Sequence, residues 1–424
     1  MKIKDSFIFC FLLFNTITGL AQTTLQNCID LAMKNNPQSQ LLPLVKETEA
    51  LQLKALSKNI LPQASLGGQA TWQSEVTGLA ISIPNFNVPT VSKDQYKATL
   101  DLNQSIWDGG MTKSQKTLAS ATANADTKNI ENNLFQTKEQ VSTLFFGVLL
   151  AEKQLTNTDI IKNDLENQLK KQQANLQNGT VIRSNVMMLE ARLLELKQQQ
   201  REINSRKSAA LKGLSILTGK EFDEKSTFTL EEPGNSLINE NGIERPELKA
   251  FEAQKELAEA NKMVVKAKYA PKINLFATGG YGRPGLNFLS PDFTTYFIGG
   301  LTFRIPLSHF YTKTNESDFK QIKINQHKID TQKEIFLQNL QLRLASQKEE
   351  VAKLQDQIVE DQKLIDIRAY MKNTAEKKLE NGVITISDYL TEVDNESIAK
   401  QNLSLHQIQL LQGLNILKIT LGKN

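Results

Sequence analysis

Histidine is scarce in this 424-residue chain, with three copies, and cysteine scarcer, with two. Two thiols cannot build a disulfide framework, and three scattered imidazoles supply no histidine-based metal or acid–base site. Long apolar runs are missing as well. Mean hydropathy is −0.36 and only Phe7 to Phe14 stands out, which excludes a polytopic bundle of membrane helices. Charge of one sign is lacking too. Fifty basic residues face forty-six acidic ones, and no basic cluster reads as a nucleic-acid footprint. No nucleophile–base set or metal cluster supports an enzyme, and no cofactor is called for. The one G-x-G-x-x-G match, Gly280 to Gly285, runs into Pro284 and Asn287 instead of a helix, so it is incidental. These absences favour a protein that works through shape.

What is present begins with an address. Lys2 and Lys4 precede the apolar stretch, and Gly19-Leu20-Ala21 follows a polar segment. Positive start, short apolar middle and small residues predict a secretory signal over 1–21. Cys28 is then the one thiol left, too far past the small residues for lipid attachment.

The rest of the chain repeats itself. Asn36-Pro37-Gln38 matches Arg245-Pro246-Glu247, and Leu61-Pro62-Gln63 matches Ala270-Pro271-Lys272. Leu176-Gln177-Asn178-Gly179 matches Leu379-Glu380-Asn381-Gly382, and Leu217-Thr218-Gly219-Lys220 matches Thr420-Leu421-Gly422-Lys423. The chain reads as one unit used twice, over 22–220 and 244–424, joined by a polar linker over 221–243. Each unit opens with a helix, about 37–58 and 246–268, closed by a proline. Period-two alternation then predicts strands at about 63–76 and 95–107, and at about 272–282 and 295–306. Apolar residues on 3–4 spacing follow (Ile130, Leu134, Val141, Leu144, Val148, Ala151 and Leu155; Leu340, Leu344, Val351, Leu354, Ile358 and Ile365). They predict coiled-coil helices over about 112–177 and 315–380, on the order of 100 Å each. Glycines at 179 and 382 reverse the chain into return helices over about 184–217 and 387–420.

Four amphipathic strands cannot close a barrel, and bare edges are a liability for an exported protein. Closure requires sister chains, and about ten tilted residues per strand suit a bilayer. Thirteen of the twenty-four aromatics beyond the signal fall within 62–108 and 271–311. Trp72, Tyr96, Trp107, Phe297 and Phe303 are therefore the candidate membrane-interface rings.

Signal, asparagine-proline start, paired strands, very long helix, glycine reversal and doubled unit together resemble the TolC-like outer-membrane efflux family. The resemblance implies a mostly α fold with a small β part: a long coiled-coil α-barrel plus a transmembrane β-barrel, four strands per protomer closing as twelve in a homotrimer. It implies a passive conduit in the outer membrane of a Gram-negative bacterium, in contact with outer-membrane lipid. The helical part stands in the periplasm, and a periplasmic adaptor and an inner-membrane pump are the partners. No cofactor, metal or nucleic acid is implied. By resemblance, the residues flanking both reversals dock the adaptor: Asn178, Gly179 and Ser184, with Asn381, Gly382 and Ser387. Asp388 falls where the family often has a constricting aspartate, and three copies would form an acidic ring that favours cations. The family's second aspartate falls on Thr391 and its latching arginine on Ile384, while Asn185 stands where an acidic partner would be sought. Thr385-x-x-Asp388 also reads as a capping box, so Asp388 has a structural reading beside the gating one. The competing whole-protein reading is a periplasmic coiled-coil adaptor or scaffold, which needs no lipid-facing strands.

Overall fold

The computed structural model describes residues 23–76, 91–229, 242–287 and 290–423. The predicted signal and the linker residues 230–241 lie outside them. In chain order come helices α1 (Leu25–Asn35) and α2 (Leu41–Ser57), strands β1 (Gln63–Trp72) and β2 (Asp94–Trp107), and helices α3 (Met111–Gln177), α4 (Arg183–Thr218) and α5 (Pro246–Lys268). Strands β3 (Lys272–Arg283) and β4 (Thr294–Arg304) follow, then the short α6 (Ser308–Thr312), α7 (Thr314–Glu380) and α8 (Ile386–Leu421).

Some local expectations change. Helix α1 carries no mark in the repeat alignment, yet Thr24 caps it by accepting from the Asn27 N–H at 3.3 Å. Its Cys28, Ile29 and Ala32 are buried. The helix expected from Pro37 starts as a 3₁₀ turn over Pro37–Gln40 and becomes α-helical at Leu41. Pro43 fits in the first turn, where a missing N–H breaks no bond. Strand β1 stops at Trp72 instead of running to 76, since the alternation gives way to polar Gln73, Ser74 and Glu75. Strand β4 stops at Arg304, two residues before Pro306, which cannot donate to a ladder. The unpredicted α6 then turns the chain into α7.

The chain forms two compact units, and neither coincides with a repeat. The first holds residues up to Ser39, Asn133–Arg245 and those from Leu340 on; the second holds Gln40–Asn132 and Pro246–Asn339. Both repeats feed both units, because the sheet takes two strands from each and the 67-residue helices α3 and α7 pass through both.

In the first unit, one core gathers α1 (Cys28, Ile29, Ala32), the middle of α3 (Val141, Phe145, Phe146, Val148) and the end of α4 (Leu211, Leu214). Phe222 and Phe228 seal it, with Phe228 edge-on to Phe145 at 5.5 Å. Burial pushes the Cys28 thiol up to about 11, against the pull of Lys220, so it packs as a small neutral group.

In the second unit, the sheet is fully antiparallel in the order β1-β2-β3-β4. Its register sets Leu66 opposite Leu100, Leu100 opposite Gly279, and Gly279 opposite Phe297.

Candidate functional site

Two places carry the candidate residues, one in each unit. The first is the pair of helix reversals. Both are built alike in backbone. After α3, Gly179 takes φ 72° and the Thr180 N–H reaches back to the Asn175 carbonyl at 3.0 Å. After α7, Gly382 takes φ 70° and the Val383 N–H reaches the Lys378 carbonyl at 2.8 Å. A left-handed glycine closing the last turn through a six-to-one bond is the Schellman cap, and a residue with Cβ pays strain there.

The starts of the two return helices differ. Ile182 precedes α4 with no side-chain cap. Thr385 precedes α8 with a full capping box. The Asp388 carboxylate accepts from the Thr385 hydroxyl at 2.7 Å and from its N–H at 3.0 Å, and Thr385 Oγ1 accepts from the Asp388 N–H at 3.3 Å. Those two donors, hydroxyl first, hold the Asp388 carboxyl below the usual carboxylate range. Asp388 is exposed at the surface while it caps, so the cap leaves its charge free to face solvent.

The reversals share one core: Ile161 and Leu165 from α3, Leu189 and Leu196 from α4, Ala375 and Leu379 from α7, Ile386, Tyr389 and Val393 from α8. Ile384 packs against it, so the position of the family's latching arginine serves as an apolar contact. Thr391 is exposed and donates to the Ser387 carbonyl at 3.0 Å. Asn185 is half-buried. Asn178, Gly179, Ser184, Asn381, Gly382 and Ser387 are all exposed. So are the apolar Ile182 and Val383 between them.

Ion pairs tie the first hairpin to the second. Lys171 on α3 meets Glu380 at 2.7 Å and Glu376 at 3.3 Å on α7. Arg192 on α4 meets Asp394 on α8 at 2.5 Å. Lys372 on α7, with a side chain 12% exposed, lies 2.6 Å from Asp164 on α3 and 3.6 Å from Glu396 on α8. Burial opposes the Lys372 charge, but Asp164 and the neighbouring glutamates outweigh it and raise its pKa. Burial foremost, and then the surrounding carboxylates, push the Tyr389 phenol up. These partners escape a reading of the sequence, which shows lysines and glutamates at helical spacing but not which helix faces which.

The second place is the sheet. Register puts Ala64, Leu66, Ala70 and Trp72 of β1 on one face with Tyr96, Ala98, Leu100 and Leu102 of β2. The same face continues through Ile273, Leu275, Ala277 and Tyr281 of β3 to Phe297, Leu301 and Phe303 of β4. This face is bare: Leu66 is 84% exposed, Trp72 74% and Phe297 69%. The opposite face is mostly polar, with Gln63, Ser65, Gln69, Lys97, Thr99, Asp101, Thr278, Thr302 and Arg304, and it also carries Phe276, Tyr296 and Ile298. On it Asp101 accepts from Thr278 at 2.6 Å and from Thr99 at 2.9 Å.

Strict alternation would leave Trp107 on that polar face. A bulge between Ser105 and Trp107 shifts the register by one and sets Trp107 opposite Ile273, on the apolar side. Rings thus sit at both ends of the apolar face. At the loop end Tyr96 and Tyr281 stack on Phe293 at 6.2 and 5.5 Å, beside Trp72. There Arg283 pairs with Asp94 and lies over the Phe293 ring at 5.3 Å. At the helix end stand Trp107 and Phe303, followed by exposed Phe310 and Tyr311. Tyr96 to Trp107 covers roughly 26 Å of height at the usual strand tilt, close to the apolar band of a membrane barrel.

An open antiparallel sheet with one lipid-like face, joined to helices of 67 residues, defines an incomplete membrane-barrel wall attached to coiled-coil helices. The family model for outer membrane efflux proteins matches the chain twice, over 29–217 and 237–423. The chain belongs to that family, one of outer-membrane channels and not of enzymes. Among solved structures, CusC is similar with a TM-score of 0.73 at 17% identity, covering 95% of this chain and 93% of that one. VceC of Vibrio cholerae is similar at 0.70 and 15% identity, covering 94% and 96%. The open state of MtrE of Neisseria gonorrhoeae is similar at 0.67 and 19% identity, covering 94% and 89%. No curated protein matches the chain significantly. Among the described residues no helix is long and apolar enough to cross a membrane, and no three or more His, Cys, Asp or Glu side chains come together as a metal-holding group.

Proposed function

We propose that three copies of this chain close into a twelve-stranded outer-membrane barrel. The barrel continues into a periplasmic helical duct that passively conducts cargo delivered by an adaptor and an inner-membrane pump. The observation that carries this reading is the predominantly apolar face of a sheet with two unpaired edges. β1 and β4 run antiparallel to one another, so β4 of one copy can pair with β1 of the next in the sheet's own pattern, and three copies close an even-stranded cylinder. The apolar face then meets lipid and the polar face lines water. A periplasmic scaffold would have no use for bare Leu66, Phe297 and Leu301 between two girdles of aromatic rings.

Within this reading the exposed reversals, with Ile182 and Val383 between the glycines, form the adaptor-docking end, and Asp388 contributes a threefold acidic ring there while capping α8. The repeat limits proposed from the sequence, 22–220 and 244–424, describe ancestry, whereas the compact units describe packing.

The test uses neighbours on one strand. Leu301→Arg places a charge on the lipid-facing side and costs about 2–4 kcal/mol of insertion. Thr302→Arg, one residue on, points into the lumen and leaves insertion intact. Heat-modifiable trimer in outer-membrane fractions reports both. Equal tolerance of the two substitutions refutes the barrel.

A further inference from the structure

On the polar face of the sheet, charge is sparse and unevenly placed. Lys97 lies near the loop end, its ammonium 5.7 Å from the Tyr296 ring, and that ring covers Gly280, where a Cβ would meet it at 2.1 Å. Asp101 lies mid-strand, occupied by two threonine hydroxyls. At the helix end Lys272 and Arg304 are direct cross-strand partners. Like charges placed opposite each other destabilise a sheet. Among the described residues, neither takes part in an ion pair.

The same sign continues where β4 leads into α7. Along roughly the first six turns of α7 two acids are drawn to α5: Asp330 to Lys255 at 2.8 Å, and Asp318 to Lys268 at 3.6 Å, while the Tyr269 hydroxyl just beyond α5 donates to Asp318 at 2.8 Å. What remains exposed there is mostly basic, with Glu316 and Glu334 as the exposed acids. Lys320, Lys323 and Lys328 line an open groove with His327. Near the sheet, then, the start of α7 leaves more cations than acids at its surface.

We infer that Lys272 and Arg304 form, in the closed trimer, a ring of six cations at the helix-proximal mouth of the barrel, and that this ring selects anionic cargo bearing carboxylate or phosphate groups. The inference rests on the trimeric-barrel reading above and names the substrate class of that conduit. Rings of lysine and arginine are the means by which pores favour anions. The strand parity that sends Phe303 and Ile273 to lipid sends their neighbours Arg304 and Lys272 to the lumen. A cationic cargo would meet this ring as a barrier.

The test is selectivity of the purified full-length protein in planar bilayers under a potassium chloride gradient at low salt, where screening is weakest. The wild-type reversal potential should lie on the chloride side, and Lys272→Gln with Arg304→Gln should move it toward potassium. Tripolyphosphate added from the loop side should reduce wild-type current and leave the double variant's unchanged. The single variants, each expected to shift part-way, serve if the double variant does not assemble. Repeating both in an Asp388→Ala background removes any opposing acidic ring. A wild-type pore that conducts, prefers potassium in both backgrounds and ignores tripolyphosphate overturns the inference and leaves the conduit standing. So does a double variant with unchanged selectivity. Wild-type trimers that insert but never conduct overturn the conduit reading, and the inference with it.

Discussion

Helices α3 and α7 are both 67 residues long and occupy corresponding places in the two repeats, yet they are packed very differently. α3 buries a dense row, among them Ile130, Leu134, Phe135, Val141, Phe145, Val148, Ile161 and Leu165. α7 buries Ile329, Leu340, Leu354, Ala375 and Leu379, and leaves Ile335, Leu342, Val359, Ile367 and Tyr370 bare, Tyr370 at 74% and Leu342 at 65%. Their apolar seams look equivalent in sequence. The difference teaches that α3 is largely covered by its own chain while α7 keeps apolar surface for something outside it. Exposed apolar surface on this scale marks an interface, and the sheet repeats the lesson with its bare face and free edges.

The sharpest way to break the contrast is Phe145→Ala. It removes a fully buried ring from the α1–α3–α4 core and should cost about 3–5 kcal/mol, read as a large drop in thermal midpoint. A drop no larger than that of Tyr370→Ala would erase the distinction between the helices. Next comes Lys372→Ala, which strips Asp164 and Glu396 of a shared, largely buried cation and should cost about 2 kcal/mol. Chemical unfolding followed at Trp72 and Trp107 would miss a purely local loosening of the reversals, so hydrogen exchange across 160–200 and 370–400 is the measurement. Protection that stays at wild-type level there would show the cross-hairpin pairs to be ornamental.

A smaller effect comes from the caps. Thr385→Ala should destabilise the start of α8 by about 1 kcal/mol, while Ile182→Ala at the start of α4, where no side-chain cap exists, should leave local exchange unchanged. Acid offers a graded version of the same comparison. Because the folded Asp388 carboxyl sits below its ordinary range, its contribution is complete above the unfolded pKa. It is lost as pH falls through the folded value, so exchange at the start of α8 should speed in acid before that at α4. Tyr370→Ala closes the series: within about 0.5 kcal/mol for an isolated protomer, but with loss of trimer on native mass spectrometry. Intact trimers would mean that α7's bare residues are covered by something other than a sister copy.

Much of the fold was legible because its signals are local. Asn178-Gly179 and Asn381-Gly382 end helices wherever they stand, since only a left-handed residue closes that cap cheaply. Alternation at Gln63–Trp72 separates two faces of a strand without reference to its neighbours. The doubled layout was legible because the punctuation recurs. Helix α1 was not, because an eleven-residue helix has little periodicity of its own and is held by Phe145 and Leu214 from far along the chain. Trp107 is a subtler case: its place on the apolar face depends on a bulge, which alternation alone cannot show. At the reversals, Thr385-x-x-Asp388 announced its cap in sequence, whereas Ile384 revealed its packing only once four helices met. The roles proposed for Asp388 and for the docking residues depend on copies and partners beyond one chain.

By itself, then, the order of residues determined the parts: where helices start and stop, which strand faces are apolar, and that the whole motif occurs twice. Those follow from interactions spanning a few residues, strong enough to act without context. Tertiary structure decided how the parts are spent. It mixed both repeats into each compact unit, paired Lys372 with Asp164 and Glu396, turned Trp107 toward the apolar side, and left part of α7's apolar surface and the apolar face of the sheet uncovered. These outcomes depend on burial and charge shared between segments hundreds of residues apart, and only the folded arrangement brings such segments together.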